Sequence, residues 1–124
     1  MKTLHVAQFT DAYRPVVDGV VGVVTNYATM IHRHHGHAVV VAPEQRNAPL
    51  DDPYAVLRFP SIALSRAQDY RLSVTPELAV GNMRRLTAAP IDIIHAHSPF
   101  RIGELAIKIG HVKKIPVVST FHSQ

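Results

Sequence analysis

The chain has 124 residues, enough for one domain, and its 47% hydrophobic and 18% charged content argues against disorder and makes a folded core the expectation. It has no Cys, which removes disulfides, thiolate catalysis and cysteine zinc sites and makes a reducing cytoplasm the expected compartment. The formal charge of +4 suits an anionic ligand or an acidic surface, but Lys and Arg are scattered and do not interleave with aromatic residues, so nucleic acid is not an expected partner.

Leu4–Phe9, interrupted by His5 and Gln8, is too short for a signal-peptide core or a membrane span and reads as a first strand. Asp11, Pro15, Asp18 and Gly19 mark the loop after it. From Val20, apolar residues fall at 20, 23, 24, 27, 28 and 31, the spacing of one helical face. That pattern runs out at His32–His35, and Gly36, able to take positive φ, follows as a natural terminator. His37–Ala42 is Val-rich and nearly uninterrupted, as a strand buried on both faces would be.

Pro43 to Pro53 has loop composition, and Ala55–Phe59 reads as a third strand closed by Pro60. Residues 61–74 mix apolar side chains with Arg66, Asp69 and Arg71 and read as a loop or an irregular amphipathic segment. Thr75-Pro76-Glu77 predicts a helix to about Thr87, with Thr75 as its cap. Ile91–His95 is a fourth strand. Ser98-Pro99 repeats the cap-then-proline signal for a helix through about Lys113, with Ile102, Leu105, Ala106 and Ile109 inside and Glu104 and Lys108 paired outside. Ile115–Thr120 is the fifth strand. Alternating strands and helices predict an α/β fold, a mostly parallel sheet of order 3-2-1-4-5, with the loops after strands 1 and 4 flanking one crevice.

Several residues on that edge are suited to chemistry. Gly19 opens a helix whose N–H groups suit a phosphate, or it serves only a turn; the local pattern leaves both readings open. The P-loop and the G-x-G-x-x-G fingerprint are both missing, so Glu44 is a poor ribose ligand. His95, His97 and His122 stand at strand ends, either as site residues or as hydrogen-bonded core histidines. The tract His32-Arg33-His34-His35-Gly36-His37 has no accompanying carboxylate or Cys, and reads as a solvated last helical turn rather than a metal site. Ser98 and Ser119 lack a nucleophile-elbow context.

Together, these segments resemble a known family. Phe9-Thr10-Asp11-Ala12-Tyr13-Arg14-Pro15-Val16-Val17-Asp18-Gly19-Val20 resembles the F-T-D-x-Y-x-P-x-x-N-G-V opening of family 4 glycosyltransferases, of the GT-B class. His35–Val39, Asp92–Phe100 and Ile115–Ser123 are similar to that family's R-G-H-E-V, D-I-V-H-A-H-S-P-F and I-P-V-V-x-T-Y-H-T blocks. The resemblance implies a Rossmann-like fold and retaining transfer of a hexose from UDP- or GDP-hexose to a lipid or saccharide acceptor, without a cofactor or required metal. It places Gly19 and Val20 by the donor diphosphate and His122 by the transferred sugar, as the catalytic residue. Asp11, Tyr13, His97 and Ser98 fall on the acceptor side.

Asp18 departs from the usual Asn, and Gln124 from the usual acid. The family's C-terminal donor domain, with its E-x7-E element, has no counterpart in residues 1–124, so the expectation is an incomplete N-terminal domain that is inactive alone. Self-association through an unpaired sheet edge is expected, as is peripheral contact with the inner membrane face through Arg58, Arg66 and Arg71, unless these are only a solvated face. The alternative is a non-catalytic α/β module that binds an anion or a partner protein at the same edge.

Overall fold

A computed structural model of the chain describes residues 3–34, 36–64 and 70–120. Five parallel strands, β1 (Leu4–Phe9), β2 (Gly36–Pro43), β3 (Ala55–Phe59), β6 (Ile93–Ala96) and β7 (Val117–Ser119), form one sheet in the order β3-β2-β1-β6-β7. This is the doubly wound, Rossmann-like order expected from the sequence. Helix α1 (Gly19–His34) packs on one face of the sheet, and α2 (Val80–Ala88) and α3 (Arg101–Lys113) on the other.

Two apolar layers hold the helices to the sheet. Ala7, Phe9, Val41, Phe59, Ile94 and Ala96 face Leu86 of α2 and Ile102, Leu105, Ala106 and Ile109 of α3. Ala38, Val40 and Ala42 face Val21, Val24 and Ala28 of α1. Val40 and Val41 are both fully buried although their side chains leave opposite faces, which is why β2 carries no polar alternation. Burial of Ile102 or Leu105 contributes about 1.5–3 kcal/mol each.

Glycines set two close approaches. Gly36 has φ +141°, and an added Cβ would lie 2.3 Å from the Leu4 carbonyl oxygen, so the turn from α1 into β2 passes against the start of β1. Gly110 brings α3 onto β7, where a Cβ would meet Val117 Cγ2 at 2.3 Å.

Local signals failed where distant partners took over. Among the described residues of 61–74, where a loop or an irregular amphipathic segment was expected, β4 (Ile62–Ala63) pairs antiparallel with β5 (Arg71–Leu72) as a short hairpin. Thr75 makes no side-chain cap; Pro76–Leu78 forms a single 3-10 turn, Ala79 breaks it at ψ 83°, and α2 begins at Val80. Glu104 does not pair with Lys108. It faces Arg101 at 3.4 Å, while Lys108 reaches Glu77 at 3.0 Å and ties α3 to the turn before α2.

Gly36→Ala should cost about 1–3 kcal/mol, because alanine must adopt a strained φ against the Leu4 backbone. A urea midpoint equal to wild type would show that this turn relaxes freely.

Candidate functional site

The strands that adjoin at the change of winding direction are β1 and β6, with Gln8 opposite His95 and Phe9 opposite Ala96. The chain leaves β1 through Thr10 and Asp11, and leaves β6 through His97 and Ser98. The Thr10 N–H donates to the Val41 carbonyl and the His97 N–H to the Phe9 carbonyl, extending the ladders past the strand ends.

Asp11 joins these two exits. Its Oδ1 accepts the Ile102 N–H at 2.8 Å; its Oδ2 accepts the Ser98 hydroxyl at 2.5 Å and the Gly103 N–H at 3.3 Å. The Asp11 N–H in turn donates to Ser98 Oγ at 3.0 Å. A carboxylate from β1's loop therefore caps α3, where unpaired N–H groups and the helix dipole favour negative charge. Ser98 does not cap the helix directly, as its position before Pro99 suggested; it supports the aspartate that does. Gly103 makes the closure possible, since a Cβ there would lie 1.7 Å from the Ser98 carbonyl oxygen.

A second carboxylate serves α1. The Val21 N–H donates to Asp18 Oδ1 at 2.8 Å, and the Tyr70 hydroxyl donates to Asp18 Oδ2 at 2.7 Å. The negative charge that Asp18 brings to this loop is thus held by two donors. Gly19, next to it, is exposed, and an added Cβ there would meet nothing within 4 Å.

Between the two capped helices lies a cleft of about 490 Å³, lined by Thr10, Asp11, Val20, Leu72, His97 and Phe100 among others. His97 lines it and is buried, and Gln8 and His95 adjoin His97 without lining the cleft. His97 Nε2 and Gln8 Oε1 lie 2.5 Å apart, the His95 ring is 3.9 Å from that of His97, and His95 Nε2 is 2.7 Å from Thr120 Oγ1. Gln8 Nε2 is buried and has no hydrogen-bond partner among the described residues. Sequence reasoning passed over Gln8; the available signal was a polar side chain in the middle of a strand buried on both faces.

Of the site residues expected from sequence, Asp11, Val20, His97 and Ser98 come together in this cleft, while Gly19 lies between the lining residues Asp18 and Val20 without lining it itself. Tyr13 does not join them. It is buried beneath α1, with its hydroxyl 3.0 Å from Asp52 Oδ1 and 2.5 Å from the Tyr54 hydroxyl. Arg58 lies over the Tyr13 ring at 5.4 Å and donates to the carbonyls of Pro43 and Arg14, so it is a half-buried strut rather than a membrane-facing charge. Arg71 binds Ser61, while Arg66 and the catalytic candidate His122 lie outside the described residues.

In the histidine tract, His32 and His34 are exposed in the last turn of α1, and His37 stacks on His5 at 4.7 Å; His35 lies outside the described residues. No three potential metal ligands converge among the described residues. No described helix is long and apolar enough to cross a membrane. The cleft therefore offers shape, apolar walls and the buried imidazole of His97. Both of its carboxylates are already engaged as helix caps.

Residues 17–124 match the profile of Glycosyltransferase Family 4. The chain is 26% identical over 122 residues to an alpha-monoglucosyldiacylglycerol synthase of Acholeplasma laidlawii, an alignment covering 97% of this chain and 30% of that protein. It is 30% identical over 125 residues to the protein of the same name from Streptococcus pneumoniae (strain ATCC BAA-255 / R6), covering 98% of this chain and 27% of the relative. The chain thus spans less than a third of the length of these curated relatives.

Asp11→Ala should cost about 2 kcal/mol, since it leaves the Ile102 and Gly103 N–H groups uncapped, and should speed their amide exchange. Unchanged exchange at both amides would remove Asp11 from this role. Burial raises the pKa of the Tyr13 and Tyr54 phenols above the ordinary value. Their contribution to stability is therefore complete below pH ~10 and is lost as pH rises from there toward the folded-state value. The urea midpoint should fall above that pH, and less steeply in Tyr13→Phe; equal slopes would contradict the assignment.

Proposed function

The chain belongs to glycosyltransferase family 4, and we propose that it forms the acceptor-side half of a retaining enzyme that moves a hexose from a nucleotide-sugar to a lipid acceptor. The observation that carries this reading is positional. Asp18–Val20 and His97–Phe100, which wall one cleft at the carboxyl edge of the sheet, both lie within the residues matched by the family.

Gly19 and Val20 are assigned to the donor diphosphate. Neither a positive φ nor packing within the domain demands a glycine at 19, so close approach of a group from outside is a sufficient reason for it. His97, held by Gln8, and the Asp11–Ser98 junction form the acceptor side, and His122 is assigned to the transferred sugar. UDP- or GDP-hexose is the co-substrate, and no cofactor is required.

A lipid is favoured over a saccharide because Val20, Leu64, Leu72 and Phe100 give the cleft apolar walls. The two relatives are named as synthases of a glucosyldiacylglycerol. Val17, Leu50, Leu64 and Phe100 are exposed on loops at the same edge, which supports peripheral contact with a membrane surface there. Val118 is exposed on β7, which lies at one edge of the sheet among the described residues, and this supports self-association of the chain by itself.

The purified 124-residue chain should transfer no hexose from UDP-glucose or GDP-mannose to dioleoylglycerol. Joined to the donor-binding domain of the pneumococcal relative, it should do so, and His122→Ala should lower kcat by about 10²-fold or more. Turnover by the chain alone would contradict its assignment as half a site. A folded chimera that binds donor yet never glucosylates the lipid would contradict the acceptor assignment.

A further inference from the structure

We propose that Tyr70 is a positioning residue for the acceptor: by hydrogen-bonding Asp18 it clamps the β4–β5 hairpin to the first turn of α1 and so fixes the width of the cleft. The inference rests on the reading of that cleft as an acceptor site for a molecule with an apolar body.

The hairpin is too small to hold its own position. Each strand has two residues, and Ile62 and Leu64 are 56% and 59% exposed, whereas isolated two-stranded hairpins are at best marginal in water. Two of its hydrogen-bonded contacts are internal: the Leu64 N–H donates to the Tyr70 carbonyl at 2.9 Å, and Arg71 binds the Ser61 hydroxyl and carbonyl. At its base, the Ser73 hydroxyl reaches the Phe59 carbonyl at 3.3 Å. None of these sets the distance from the hairpin to α1. Tyr70 does: its ring packs against the apolar cluster of α1, and its hydroxyl lies 2.7 Å from Asp18 Oδ2.

Asp18 is suited to receive it. One carboxylate oxygen is taken by the Val21 N–H at the start of α1, which leaves the other facing Tyr70. The same hydrogen bond is the leading cause of a rise in the Tyr70 phenol pKa. Leu64, Tyr70 and Leu72 of the hairpin line one side of the cleft, and Pro99 and Phe100 line another, so loosening the clamp changes the space between them. A single phenol thereby couples the helix turn assigned to the diphosphate with the wall assigned to the acceptor's apolar body.

The test compares wild type with Tyr70→Phe, Asp18→Ala and the double variant, after circular dichroism has shown that each is folded. Removing one partly exposed hydrogen bond should speed amide exchange at Leu64 roughly three- to tenfold in Tyr70→Phe, with little change in the melting temperature. The double variant should be no faster at Leu64 than the faster single variant, because both break the same contact. The Tyr70 phenol, followed by the NMR shift of its ring carbon Cζ, should titrate closer to pH ~10 in Asp18→Ala than in wild type. Calorimetry with 1,2-dihexanoylglycerol should show severalfold weaker binding to Tyr70→Phe. Wild-type exchange and affinity in Tyr70→Phe, or independent multiplicative effects in the double variant, would overturn the clamp. A working clamp in a wild-type protein that binds maltose and not dihexanoylglycerol would overturn the acceptor reading instead.

Discussion

The Asp11 carboxylate is the contact on which the carboxyl edge of this domain depends. β1 and β6 lie side by side where the winding of the sheet reverses, and their exits must diverge to opposite faces, one toward α1 and the other into α3. Asp11 closes that divergence at its base by taking N–H groups of α3 and the hydroxyl of Ser98. Charge-assisted hydrogen bonds at a helix N-terminus are among the stronger polar contacts available to a protein. Gly103 is the steric condition for it, because any side chain there would collide with the Ser98 carbonyl.

With both helix starts capped by the protein's own carboxylates, the cleft between them has a defined character. The first turn of α3 is satisfied internally, so it is not an open anion site. At α1, Asp18 takes the Val21 N–H, while Gly19 stays exposed. Thr10, His97 and Ser98 give the cleft polar groups, and Val20, Leu64, Leu72 and Phe100 give it apolar ones. This division suits a ligand with a hydroxyl-bearing end and an apolar body.

Much of the architecture was legible in the sequence because it rests on local period and composition. The Val-rich run of β2, the helical spacing from Val20 and the proline breaks at 60 and 90 suffice to place five strands and the order of the sheet. What remained hidden depends on partners far apart in the chain. Ser98 looks like a cap, but the capping group is Asp11, 91 residues before Ile102. Glu104 and Lys108 have the spacing of a pair, yet Lys108 finds Glu77 on a neighbouring segment. Tyr13 sits within a functional-looking block and packs in the core because Asp52 and Tyr54 meet its hydroxyl from 39 and 41 residues away. Of the candidate site, the sequence blocks pointed to Asp11, Val20, His97 and Ser98, which line one cleft, whereas Gln8, the partner of His97, carried no motif to announce it.

An acceptor with an apolar body is proposed to bind in the cleft between Thr10–Val20 and His97–Phe100. Chemical-shift mapping of the isotopically labelled chain, titrated with 1,2-dihexanoylglycerol, tests it most directly. Saturable shifts should group at Thr10–Ala12, Val20, Leu72 and His97–Phe100. Shifts confined to the opposite edge of the sheet, around His5, His37 and Tyr54, or no saturable shifts at all, would contradict it.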